Sequence, residues 1–212
     1  MATLTLGTIR NMVRSELNEI TYLSISNDEI SGLVNDGIKD ISVKALCYES
    51  LITKSNIPKS ARLISLAGDN IININSVSYA GKTEIGMECV IPQKLGHIPI
   101  NGYTPQFWFK WGNYLIIEPL PDVATYSVYI FASCYPTSVI LNDGDFIPNL
   151  PVEFHECVYL YTLTYSCFKL KRWQEGGEFY NRYVESVQMK KFEYVMKATD
   201  YDNTDIPAKV SK

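Results

Sequence analysis

The sequence predicts an α+β chain in which a helical bundle built from both chain ends carries an inserted antiparallel β module, a small sandwich or open barrel. Apolar residues recur at helical spacing near the N-terminus and again beyond Pro151. Between them, roughly over residues 61–135, the pattern changes to β-branched, partly alternating residues punctuated by Gly, Asn and Pro. Pro148 and Pro151 bracket the return to helix. The expected division is residues 1–58 and 147–198 for the helical body, 59–146 for the β module and 199–212 for a flexible C-terminal tail.

Each element has its own signal. From about residue 6 to 18, Ile9, Met12, Val13 and Leu17 keep helical spacing, which places Arg10 and Arg14 on the outer side. Ser26 stands three residues before Glu29, a capping-box pattern, and Ile30, Leu33, Val34, Ile38, Ile41 and Ala45 then repeat at three and four, predicting a helix over about 27–48. Its outer face leans acidic, with Asp28, Glu29, Asp36 and Asp40 against Lys39 and Lys44. Residues 62–66 and 71–77 read as two strands separated by a turn at Gly68-Asp69. The clearest hairpin follows, with Phe107-Trp108-Phe109-Lys110-Trp111 and Tyr114-Leu115-Ile116-Ile117-Glu118 flanking Gly112-Asn113. Residues 126–132 form a last strand, giving four to six antiparallel strands in all. Phe154, Cys157, Val158, Tyr161, Tyr165 and Phe168 then mark a helical stripe. A break at Lys171-Arg172 separates it from a long last helix over about 174–198.

Composition excludes several classes. The net charge of −4 does not suit a protein that grips nucleic acid by neutralising phosphates, although it allows DNA to pass without being held. Five scattered cysteines, Cys47, Cys89, Cys134, Cys157 and Cys167, form no C-x-x-C pair and read as reduced thiols. The N-terminus lacks the pattern of a signal peptide, and no apolar run approaches the ~18 residues a membrane span requires, so synthesis and assembly in cytoplasm, without a membrane anchor, are expected.

The motifs that imitate active sites fail on spacing. Gly81-Lys82-Thr83 resembles the end of a phosphate loop, but Ser76 stands where the earlier glycine is needed, and a β-turn explains it. His155-Glu156 opens like a zinc-protease helix, yet Tyr159 occupies the place of the second metal ligand, leaving a polar helix-start residue. Asp200, Asp202 and Asp205 suggest a calcium loop, but Asp205 replaces its glycine and Ser211 its closing Glu. Neither His97 nor His155 lies in a nucleophile context. No catalytic, cofactor or metal residues are therefore assigned, and a small hydrolase using Glu153, His155 and Glu156 is kept only as the rival from another class.

Partner contact is the remaining option. Phe107, Phe109 and Trp111 share one face of their strand, and Trp108 and Lys110 share the other. If the first face packs inward, Trp108 stands outside as an anchor, unless the helices cover both faces; the candidates here are Trp108, Lys110 and Trp111. Residues 169–197 hold seven Lys or Arg against four Glu, a surplus of +3. That pattern fits a solvated face or a bore-facing or partner-facing one, with Lys169, Lys171 and Arg172 as its candidates. Residues 200–212 lack an apolar pattern and read as disordered until a neighbour orders them, through Tyr201, Ile206 and Pro207.

The stretches "EISGLVNDGIKDI" with Asn35, "FWFKWGNYLIIEPLPD" followed by "ATYSVYIFA", "IPNLPVEFHECVYLYTLTYSCF" and "GGEFYNRYVESV" occur in an order that resembles the head-to-tail adaptor proteins of short-tailed bacteriophages, over most of residues 5–195. The resemblance is one of pattern rather than of an invariant motif. It implies a structural virion protein without cofactors, located at the neck and assembled in the host cytoplasm. It further implies a homo-oligomeric ring of about twelve copies that joins portal to tail or tail hub and lets genomic DNA through without sequence-specific contact. A neck or tail-completion protein placed elsewhere along the tail is the alternative within the same class.

Overall fold

The computed structural model describes residues 4–18, 24–80, 84–91, 104–121, 123–137, 140, 142–147 and 150–204, with backbone alone at 80, 84, 85 and 197–204. Gly81-Lys82-Thr83, His97, Asp205, Ile206 and Pro207 lie outside the described residues. Two units emerge, Met1–Cys47 with Pro136–Lys212, and Tyr48–Tyr135. The first limit lies before the expected 58/59 because the stretch from Glu49 is strand.

The helical unit contains α1 (Leu6–Glu16), α2 (Asn27–Ala45), α3 (His155–Lys169) and α4 (Trp173–Thr204), with a 3-10 turn at Val152–Phe154 leading into α3. Local chemistry sets their ends. Thr5 Oγ1 accepts the Thr8 amide ahead of α1. Ser26 and Glu29 form the expected reciprocal capping box on α2. That helix stops at Leu46, which adopts the left-handed conformation at φ +57°, so it is shorter than the expected 27–48. Lys171, at φ +59°, makes the predicted break between α3 and α4. All four helices contribute to one core, among them Leu6, Ile9, Ile30, Ile38, Ile41, Phe154, Val158, Leu163 and Tyr183, with each large aliphatic side chain contributing about 1.5–3 kcal/mol by leaving water.

One expectation is corrected here. Arg10 and Arg14 are not on an outer face. Arg14 is buried, and its Nη2 donates to the Ile25 carbonyl at 2.9 Å and to Asn27 Oδ1 at 2.8 Å, while Arg10 pairs with Asp143 and donates to Ser31 Oγ. A guanidinium can turn inward where fixed oxygens match its donors. Of the stretch expected as a tail, residues 199–204 lie on the described backbone of α4.

The β unit is a seven-stranded sheet in the order β1-β7-β3-β4-β5-β6-β2. Its strands are β1 (Glu49–Pro58), β2 (Leu63–Ser65), β3 (Ile71–Ala80), β4 (Glu84–Cys89), β5 (Phe107–Trp111), β6 (Tyr114–Glu118) and β7 (Thr125–Cys134). The β5–β6 hairpin has the expected register, Trp111 opposite Tyr114 and Trp108 opposite Ile117, with the left-handed turn conformation on Gly112 at φ +56°. Elsewhere the pairing is less local than the sequence implied. Gly68 does turn the chain, at φ +86°, but β2 pairs with β6 and β3 with β7 and β4 instead of with each other. Among the described residues there are seven strands rather than four to six, and β4 runs parallel to β5 in an otherwise antiparallel sheet.

The edge strands β1 and β2 are joined by only four residues, 59–62. In a flat sheet, six interstrand spacings would part them by about 29 Å, whereas five Cα steps span at most about 19 Å. The sheet is therefore rolled. Ile57 of β1 and Ile64 of β2 reach the same core as Val77, Met87, Trp108, Leu115, Ile117, Val128 and Ile130, and the Tyr126 hydroxyl donates to the Ala61 carbonyl at 2.7 Å. Burial pushes the Tyr126 phenol up to about 12, with a further push from Tyr79.

Candidate interaction surfaces

His155 is the only described histidine and it is fully committed. It is 2% exposed, its Nδ1 accepts the Leu4 amide at 3.2 Å, and its Nε2 lies 3.1 Å from the Leu150 carbonyl. That pair of partners requires the neutral ring protonated on Nε2. Burial lowers its pKa, against smaller opposing effects of the Leu150 carbonyl and Glu153. Neither nitrogen is left for a substrate. Among the described residues no group of three or more His, Cys, Asp or Glu is placed to hold a metal, and no helix is long and apolar enough to cross a membrane. The five cysteines are free, with Cys89 exposed and the others buried.

The aromatic hairpin has the opposite orientation from the one anticipated. Trp108 faces inward, 5% exposed, with Nε1 donating to the Met87 carbonyl at 3.2 Å. The physical reason is the rolled core on that side, which supplies Leu115, Ile117 and Val128 around the ring. The face of Phe107, Phe109 and Trp111 is therefore outer. Phe109 shelters there in a small cluster with Val90 and Ile116, whereas Trp111 is 68% exposed and Tyr114, opposite it, 47%. Together with Leu63, Ile116, Phe109 and Arg62 these rings line an apolar groove of about 550 Å³. Its charge is self-neutralising, because Arg62 pairs with Glu118. Lys110 is exposed.

On the helical unit, the proposed basic cluster is only partly available. Lys169 pairs with Glu29 at 3.0 Å, and Arg172 pairs with Glu175 while donating to the Leu17 carbonyl at 3.3 Å. The Ser26 amide, with help from Lys169, holds the Glu29 carboxyl down at about 2. Lys171 is exposed at the turn between helices. Two further surfaces lie along α4. One is a groove of about 400 Å³ lined by Lys44, Tyr180, Val184, Val187, Gln188 and Lys191. The other is a run of exposed apolar side chains, Met189, Phe192, Val195 and Met196, between 47% and 67% exposed. Tyr201 lies on the described backbone of α4.

With this layout in view, comparison with protein families gives a match to the model described as SU10 adaptor protein over residues 4–203, nearly the whole chain. The chain belongs to the SU10 adaptor protein family. This supports the resemblance to phage head-to-tail adaptors and makes the chain a bacteriophage structural protein from a family of adaptors rather than of enzymes. No curated protein matches it.

For an adaptor the informative residues are those left uncovered, and here sequence reasoning found some and missed others. Trp111 and Lys110 were legible from the hairpin. The α2–α4 groove was not, because Lys44 and Lys191 lie 147 residues apart in the chain. The exposed run on α4 did leave a sequence trace, since Met189, Phe192 and Met196 recur at three and four on a different side from Tyr183 and Val187.

Proposed function

We propose that this adaptor works as one subunit of a closed ring of about twelve copies at the virion neck, docked on the portal on one side and on the tail or tail hub on the other. In this reading the helices from the two chain ends form a bundle that builds the ring wall. The β unit meets a neighbouring protein through Trp111, Tyr114 and Leu63, and the bore passes genomic DNA without gripping it. The observation that carries the reading is the family match across nearly the whole chain. Uncovered apolar faces on both units are consistent with it, because contiguous exposed apolar surface marks contact sites. The net charge of −4 and the engagement of Lys169 and Arg172 by carboxylates favour a bore that does not hold DNA. Mass photometry and electron microscopy of the purified chain, alone and mixed with portal rings, test it. Rings that sit coaxially on the portal are expected; a monomer that ignores portal at every concentration would sink the reading.

A further inference from the structure

We infer that an exposed ridge on α4 of one copy, built from Met189, Phe192 and Met196, packs into the α2–α4 groove of a second copy; this rests on the ring reading above and names a contact that repeats around the ring. The first observation is that this part of α4 is apolar both toward the core and away from it. Val187 and Tyr194 pack on the helical core, where the Tyr194 ring meets Phe154 edge-on at 6.0 Å between centroids. Met189, Phe192 and Met196 recur at three and four and are 57%, 67% and 47% exposed. A helix that is apolar on opposite sides belongs where both are covered. Within one copy α2, α3 and the Val152–Phe154 turn pack on α4, and they leave the ridge open.

The second observation names what covers it. The groove combines Tyr180, Val184 and Val187 with Lys44, Gln188 and Lys191, so it offers apolar surface beside two cations. Lys191 Nζ donates to the Lys44 carbonyl at 2.8 Å, which holds its charge in place. Asp40, 2.7 Å from Lys44 Nζ, offsets part of the Lys44 charge, so Lys191 is the principal attractor. The ridge has the complementary character. Glu185 stands one turn before Met189 on the same line of the helix and is exposed, while Arg182, the cation next to it in sequence, lies over the Phe179 ring at 5.8 Å. Opposite charges thus meet at one end of the contact, and beyond them the flexible thioethers fill an irregular surface of Tyr and Val.

The fold also dictates that the two surfaces meet only between copies. Ridge and groove share one continuous helix, Trp173–Thr204, and at about 100° per residue they stand roughly a third of a turn apart around its axis. A helix cannot bring one of its sides onto another. The two surfaces differ and every copy carries both, so the contact is head-to-tail and repeats from copy to copy, as ring closure requires.

Mass photometry of the full chain tests the pairing with four variants: Met189→Glu with Phe192→Glu, Glu185→Lys alone, Lys191→Glu alone, and the two charge reversals together. None of these side chains is in the helical core, and circular dichroism melts check that the fold is kept. The ridge pair is expected to raise the half-assembly concentration about tenfold or more, each charge reversal about threefold, and the double reversal to return most of that. Unchanged assembly in the ridge pair, or a double reversal no better than the poorer single one, overturns the inference. A benzophenone side chain at position 192, in an equal mixture of light and isotope-heavy copies, separates the two readings. Cross-links from one copy to the groove of another without closed rings leave the pairing standing and sink the ring reading, whereas rings with groove cross-links support both. Rings whose cross-links avoid the groove, or run to added portal instead, sink the pairing and leave the ring reading standing; neither rings nor cross-links between copies sinks both.

Discussion

In the helical unit, directional polar contacts cross the interior and tie together segments far apart in the chain. Arg14 holds Ile25 and Asn27, His155 holds Leu4 and Leu150, and Tyr183 donates to Asp40 across 143 residues. Asn35 exchanges two hydrogen bonds with the backbone of Ile140, at 2.9 and 3.1 Å, as a strand partner would. Among the described residues of the β unit, the interior links are chiefly Trp108 to Met87 and Tyr126 to Ala61. The contrast follows from the backbone. A sheet fixes the register of its segments through its own ladder and asks mainly for apolar side chains between faces. Helices satisfy their amides internally, so their mutual placement needs side chains that point and bond.

This comparison can be broken in order of effect. Tyr183→Ala should cost about 3–5 kcal/mol in denaturant unfolding, because a fully buried ring is lost, while Tyr183→Phe should cost about 1.5–3 kcal/mol for the bond to the Asp40 carboxylate alone. If Tyr183→Phe proves neutral, the polar link is decoration. Asn35→Leu should cost about 1–3 kcal/mol by stranding the N–H and C=O of Ile140, with faster amide exchange at Ile140 than in the parent. A loss confined to global stability, with Ile140 exchange unchanged, would refute the pinning role.

The third test uses pH. Burial holds the folded His155 below the ordinary imidazole value near 6.5 at which the unfolded ring titrates. As pH falls below 6.5 the unfolded chain takes up a proton that the folded chain resists, so stability should decline from there until the folded ring also titrates. His155→Gln should flatten that limb of a stability–pH curve. The Glu29 carboxylate acts in a lower window: its contribution is complete above about 4.5 and is lost as pH falls through about 2. The smallest effect belongs to the β surface. Trp111→Ala should leave stability within about 0.5 kcal/mol, since the ring is mostly in solvent, yet weaken binding to whatever covers that face in a pull-down against portal or tail components.

How much of this was legible follows from the same contrast. Capping box, apolar spacing and turn residues are local signals, so α2, the break at Lys171 and the β5–β6 hairpin could be read directly. The sequence period of two separated Trp108 from Trp111 but gave no means of choosing which side faced the core, because that depends on what β2, β3 and β7 bring to it. Strand β1 was missed because as an edge strand its residues are mostly exposed and show no clean alternation. The inward arginines escaped notice for a similar reason, since their acceptors at Ile25 and Asp143 lie in loops.

The four-residue link between β1 and β2 also bears on how this protein survives at the high local concentrations of assembly. An open sheet offers two unpaired edges on which strands of other molecules can add without limit. Here both edges are tethered across a gap no wider than the link allows, and β1 is further distorted by a bulge between Lys54 and Ile57. The link limits how far the two edges can part, so an incoming strand meets a bounded slot rather than two independent open edges. The same short link that rolls the sheet thus also constrains strand addition at both of its edges.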